Sequence, residues 1–166
     1  MNADNMSFRL APMSPGIRVL TLVMLALPLV FLAGAALGTW PALAPGLFIF
    51  VMYVWVWTRF RPSRFILHPG SIEVVWPLKR REIRREGITE VRLIGCREMR
   101  NEVGFCMRVG AGGLWGGFGW LWTQKRGIVQ MHISRTDQFV WIERRNDRPW
   151  LITPENPEAF IRALSG

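Results

Sequence analysis

The sequence predicts an α+β chain in two parts: a pair of membrane-crossing helices, then a mainly antiparallel β domain of about seven strands closed by a C-terminal helix. Three observations carry this. Between Arg18 and Arg59 lie forty residues without a charge. After Arg59, short apolar or alternating runs follow one another between turn signals. The chain then closes on NPEAFIRALSG, which holds a helix-start signal and one apolar stripe.

The uncharged segment comes first. At 1.5 Å per residue, about 20 helical residues cross the ~30 Å hydrocarbon core, so the gap has room for two spans. Gly38-Thr39-Trp40-Pro41, followed by Pro45-Gly46, marks the turn between them. The spans are placed at 19–37 and 42–57. Pro45 falls in the first turn of the second span, where a missing N–H costs little. Pro28 lies inside the first span and predicts a bend there. Gly34 and Gly38, with Ala33, Ala35 and Ala36 around them, predict a close helix–helix approach. Trp40 at one end, and Tyr53, Trp55 and Trp57 toward the other, suit interfacial belts.

Flanking charge sets the orientation. Arg9 and Arg18 precede the hairpin, Arg59, Arg61 and Arg64 follow it, and the connecting turn carries none. The positive-inside rule puts both termini in the cytoplasm. Two other readings exist. LAGAALG offers small residues for signal-peptide cleavage, but the second span would still return the chain to the cytoplasm. A buried helical hairpin of a soluble protein is disfavoured, because the remaining chain is too short to cover two wholly apolar helices. The organisation is therefore a tail at 1–18, a hairpin at 19–58 and a domain at 59–166.

In the domain, RFILHP ends at Pro69-Gly70. SIEVVWP puts Ile72, Val74 and Trp76 on one face, and REIRR is a weak third run. ITEVRLIG follows, with Thr89, Val91 and Leu93 on one face. GIVQMHIS alternates most cleanly, with Val129, Met131 and Ile133 opposite Gln130 and His132. QFVWIER and PWLIT complete seven runs, a pattern typical of a small antiparallel barrel or sandwich. Asn156 is a good N-cap and Pro157 a good first helical residue; Phe160, Ile161 and Leu164 form the apolar stripe of the last helix.

This order resembles the pleckstrin-homology (PH) fold, a bent seven-stranded barrel capped by a C-terminal helix. It is similar in particular to bacterial PH-domain membrane proteins, which commonly place two membrane helices before such a domain. The residues that carry the resemblance are RFILHPGSIEV, the GGLWGGFGWLW loop, the pair GIVQMHIS and QFVWIERR, and the ending LITPENPEAFIRAL. The resemblance implies a PH-like barrel, a bacterial inner-membrane location and a binding rather than catalytic role. One departure stands out. The hairpin turning at His68-Pro69-Gly70 lacks the lysine and arginine cluster of phosphoinositide-binding PH domains.

Chemistry is sparse. The chain has 166 residues, net charge +9 and 9 tryptophans, a balance that suits an anionic membrane or nucleic acid as neighbour. Cys96 and Cys106, ten apart, match no zinc motif and read as reduced thiols. His68 and His132 have no carboxylate at metal-ligand spacing. Asp137 and Glu143 read as a turn acid and a solvated face, and the glycines of 110–119 lack the GK[ST] of a phosphate loop. No catalytic residues, metal or cofactor are expected.

Two features remain. KRREIRREG gathers Lys79, Arg80, Arg81, Arg84 and Arg85, offset by Glu82 and Glu86. It is a candidate headgroup contact, each basic residue near an anionic surface being worth about 1 kcal/mol. Without interleaved aromatics it is a weak nucleic-acid site. The second is GAGGLWGGFGWLWTQKRG, where six of the eleven residues from Gly110 to Trp120 are glycine. That density excludes a helix, and the apolar residues do not alternate as in an ordinary strand. The stretch is expected to be a loop, with Trp120 or Trp122 turned inward. Trp115 and Phe118 are expected outward, toward the bilayer or a partner helix, with Lys125 and Arg126 beside them to meet phosphates. The resulting expectation is a non-catalytic scaffold binding membrane lipids or another membrane protein. The alternative is an accessory subunit of a membrane enzyme or transporter, acting through its hairpin.

Overall fold

The computed structural model describes residues 6–145 and 147–165; residues 1–5 of the tail, Asn146 and Gly166 lie outside the described residues. Helix α1 spans Pro15–Ala36 and α2 spans Leu43–Arg59, joined through a 3-10 turn at Trp40–Ala42. Helix α1, and the segment Trp40–Arg59 made of the 3-10 turn and α2, are long and apolar enough to cross a membrane, with mean hydropathy 2.5 and 1.6, and only 17% of each is buried inside the molecule. The helix starts four residues before the expected 19, because Pro15 supplies a ready-made first turn. Gly38, at φ +103°, ends it, and the amides of Leu37, Gly38 and Thr39 turn back onto the carbonyls of Ala33, Ala35 and Gly34.

The close approach of the two helices falls on Gly46 rather than on Gly34 and Gly38. A Cβ at Gly46 would sit 3.1 Å from the Phe31 Cβ, whereas one at Gly38 would meet nothing within 4 Å. Helix α1 runs unbroken through Pro28. Proline has no N–H to give, so the Met24 carbonyl four residues earlier loses its helical donor. The hydroxyl of Tyr53, on α2, donates to that carbonyl at 3.1 Å.

The rest of the chain forms two sheets. Strands β1 (Met6–Arg9), β2 (Arg64–Leu67), β3 (Ser71–Val75) and β4 (Arg80–Arg84) make the first, in that order. Strands β5 (Ile88–Ile94), β6 (Cys106–Gly112), β7 (Gly117–Thr123), β8 (Gly127–Ile133), β9 (Phe139–Arg144) and β10 (Trp150–Ile152) make the second, ordered β5-β9-β10-β8-β7-β6. All pairings are antiparallel except β8–β10. Two short helices complete the fold, α3 (Cys96–Val103) and α4 (Pro157–Ser165).

Two expectations are corrected here. The sheets do not close into a barrel, and the described residues hold ten strands instead of about seven. The seven expected runs are all strands. The additional ones are β1, from the tail, and the β6–β7 hairpin, whose turn, β7 and the end of β6 come from the glycine-rich stretch expected as a loop. Gly110 and Gly119 face each other across that hairpin at φ +138° and +126°. A Cβ on either would strike backbone: the Phe118 carbonyl at 2.4 Å, or the Val109 carbonyl at 2.6 Å. The glycines thus permit the two strands to approach, where a side chain at either position would force them apart.

The main core lies between the sheets. Phe65, Ile72, Val74 and Ile83 of the first meet Phe118, Val140, Ile142 and Trp150 of the second, with Phe160 of α4 among them. A second cluster lies around Ile94, Val129, Met131, Phe139, Trp141 and Leu151, with Val103, Met99 and Cys96 of α3 packed against it. Asn156 caps α4 as expected, its side-chain oxygen accepting from the Ala159 amide at 3.2 Å.

Candidate functional site

Because the first sheet has four strands and the second six, the second extends past its cover. Residues alternate across a strand, so Phe118, Trp120 and Trp122 share one face of β7. Phe118 is fully buried in the core, while Trp120 and Trp122 are 44% and 45% exposed. Their cross-strand partners on β6, Val109 and Met107, are exposed too, as is Ile128 opposite Trp122 on β8. The result is an apolar flank on the uncovered part of the sheet.

A cavity of about 290 Å³ opens where the two sheets part. One wall is basic: Arg59 from the end of α2, then Lys79, Arg80 and Arg81 from β4 and the turn before it. The other wall is Trp120, Gln130 and His132. Arg80 is paired with Glu73 at 3.3 Å. Among the described residues, Arg59, Lys79 and Arg81 have no carboxylate within ion-pair distance. Lys79 stands 4.6 Å over the Trp76 ring, and burial, then the charges of Arg59 and Arg81, push its pKa down.

Behind these cations sits His132, 5% exposed, its ring edge-on to Trp76 and Trp150 at 5.5 and 5.7 Å. Burial, then Lys79 and Arg81, lower its pKa to about 3, so it is neutral at physiological pH. Its tautomer follows from its neighbours. Arg81 donates to Gln130 Oε1 at 3.3 Å, which turns the Gln130 amide nitrogen toward His132 Nε2 at 3.2 Å. Nε2 therefore accepts, and Nδ1 carries the proton with no partner among the described residues.

The turn of the β6–β7 hairpin rests on both long helices. The Trp115 amide donates to the Thr21 hydroxyl of α1 at 2.9 Å, and that hydroxyl lies 3.1 Å from the Gly113 carbonyl. A Cβ at Gly113 would sit 3.1 Å from Leu20. Trp115, half-buried at φ +59°, stacks edge-on against Trp57 of α2 with centroids 4.7 Å apart.

The expected contact residues are thus distributed unevenly. Lys79, Arg80 and Arg81 meet at the cavity. Arg84 is exposed on β4, and Arg85 donates to the Ala163 carbonyl of α4 at 3.1 Å, a structural tie. Phe118 is a core residue, which corrects its outward assignment; Trp120 and Trp122 are the outward aromatics, which corrects theirs. Lys125 and Arg126 lie at the opposite end of β7 from Trp115, bound to the Asn101 carbonyl and to Glu102 of α3. They do not join the basic run. His68 lies 3.2 Å from Glu73 across the first hairpin turn. Arg59 is read from sequence as a flanking charge and His132 as a histidine without metal-ligand spacing, and neither they nor Gln130 is expected at a contact site. The sequence places His132 on the polar face of β8 but gives no sign of its burial, and the glycines hide the period-two pattern of FGWLW.

The family model for the bacterial PH domain matches residues 63–166. The chain belongs to the bacterial PH-domain family. In this member the PH domain is preceded by two helices apolar enough to be candidate membrane spans. PH domains are generally non-catalytic binding modules, and a general binding role fits the cavity and flank of this one. No curated protein and no solved structure matches the chain.

Proposed function

We propose that this PH-domain protein is a non-catalytic binding scaffold of the bacterial inner membrane. Helices α1 and α2 cross the bilayer, both termini are cytoplasmic, and the PH domain is held against the inner leaflet. The observation that carries this reading is the seat of the β6–β7 turn on Thr21 and Trp57. That seat lies within two turns of Pro15 and of Arg59, the ends of α1 and α2. Such a domain is fixed at the membrane surface rather than swinging on a linker.

Three further features support it. The flanks of both helices are almost uncovered by protein, as lipid-facing surfaces are. Strand β1, before α1, pairs with β2, after α2, so the two helices begin and end on one side. The arginines flanking that side favour the cytoplasm. With the near face of the domain at headgroup depth, Lys79, Arg80 and Arg81 meet anionic lipid, and the exposed Trp120 suits the interfacial layer.

Topology is tested with the exposed thiol of Cys106. In intact cells a membrane-impermeant maleimide should leave it unlabelled, and permeabilisation should expose it. Labelling of intact cells overturns the cytoplasmic placement. For the binding role, the full chain in nanodiscs of mixed lipid should enrich anionic over zwitterionic lipid in its annulus, less so at high salt. Equal retention of both lipids removes the headgroup reading.

A further inference from the structure

Three exposed cations line one cavity, and among the described residues none has a carboxylate within ion-pair distance, although Asp147 feels the charge of Arg81 from farther off. Arg59, Lys79 and Arg81 come from three different places in the chain: the end of α2, the β3–β4 turn and β4. Burial and mutual repulsion already depress the Lys79 pKa. A protein that gathers like charges in a partly enclosed space holds them there at a cost unless an anion joins them. A phosphate monoester brings between one and two negative charges and several acceptor oxygens, and Arg forks match its geometry. A single carboxylate would leave most of the cluster unmatched. His132, neutral and almost fully buried, backs the cavity without adding repulsion.

The second observation is independent of charge. Trp120 lines the cavity and also begins the exposed apolar flank, continuing through Val109 to Met107 and Trp122. One ligand lying across Trp120 would therefore meet cations at one end and apolar surface at the other. A soluble phosphate has no use for the second half of that site, and a purely apolar ligand none for the first.

We propose that the cleft between β4 and β7–β8 binds a single phospholipid through its phosphate, held by Arg59, Lys79 and Arg81, with its glycerol and upper acyl carbons along Trp120 and Val109. This rests on the membrane placement proposed above, because only a lipid-facing cleft is filled laterally from a bilayer. It goes further in making the contact a defined site and not a diffuse attraction.

The test uses the full chain in phosphatidylcholine nanodiscs containing a minor fraction of phosphatidic acid. Retained lipids are counted by native mass spectrometry. Wild type should keep phosphatidic acid in preference to phosphatidylcholine. Lys79→Gln with Arg81→Gln should reduce that preference by at least about tenfold, the effect of losing about 1.4 kcal/mol. Arg97→Gln with Arg100→Gln removes equal charge from α3, outside the cleft, and should leave it intact. Trp120→Ser, at a partly exposed position, should weaken lipid retention without lowering the melting temperature. This keeps the proposal testable even if the double substitution misfolds.

Equal losses in the two arginine-containing pairs mean diffuse electrostatics: the cleft is then wrong, while the membrane reading stands. No preference for phosphatidic acid in wild type overturns the cleft and the headgroup reading together. Inorganic phosphate raising the melting temperature as much as the lipid does, with Trp120→Ser neutral, makes this a soluble-phosphate site and overturns the lipid assignment.

Discussion

The β3–β4 and β6–β7 hairpins do opposite jobs with opposite materials. The first is written in side chains: Ile72, Val74 and Ile83 turn into the core, and charged residues dominate the solvent side. The second is written largely in backbone: paired glycines bring β6 and β7 together, and the turn seats on α1 and α2 through an amide, a carbonyl and one ring. A hairpin that offers charge needs only alternation, whereas one that fits between neighbours must first remove its own Cβ atoms.

The comparison is broken most sharply at Phe118. If the second hairpin is a structural wedge, Phe118→Ala should cost about 3–5 kcal/mol in a denaturant melt, as for a fully buried ring. A loss under about 1 kcal/mol would return Phe118 to the surface. Next in size is Gly119→Ala, which puts a Cβ 2.6 Å from the Val109 carbonyl at a φ of +126°. Its expected cost is about 1–3 kcal/mol, the strain of holding a non-glycine residue there.

Acid sharpens the other side of the comparison, where the basic hairpin meets His132. Its folded pKa of about 3 is below the ordinary 6.5, so the unfolded chain binds a proton first. The stability this contributes is complete above pH 6.5 and declines as pH falls toward 3, by up to about 1.4 kcal/mol per unit. Between pH 6.5 and 5 most carboxylates are still ionised, so the part of the slope that a change at His132 removes reports this histidine. His132→Gln should flatten the slope there.

Smaller effects separate docking from charge. Thr21→Val removes the acceptor of the Trp115 amide and should cost about 1 kcal/mol, seen as faster hydrogen exchange at that amide. Arg84→Gln, an exposed change, should move stability by less than about 0.5 kcal/mol.

These differences also explain what the sequence revealed. The uncharged gap, the turn at Gly38, the seven alternating runs and the capped last helix were legible, because each is a side-chain pattern with one local meaning. Strand β1 was not, because MSFR becomes a strand only when β2 is beside it. The β6–β7 hairpin was not, because Gly110 and Gly119 explain each other only once they are paired. At the site, Lys79, Arg80 and Arg81 stood out as a run. Arg59 and His132 join them through tertiary structure, from positions distant in the chain, so no spacing rule could have found them.

Strand β1 also imposes an order of events on synthesis. Its backbone partners are Arg64–Leu67, and just beyond it Leu10 bridges Pro154 while the Ala11 amide bonds the Thr153 carbonyl. Phe8 stacks on Phe160 of α4. Strand β1 precedes all of these partners in the chain, so it finds its final place only after they have been made. It must wait while both long helices form and the sheets assemble. A bulky fusion ahead of Met6 would meet the fold at its closing step, and the harm would appear as slow maturation and early proteolysis more than as a lower melting point.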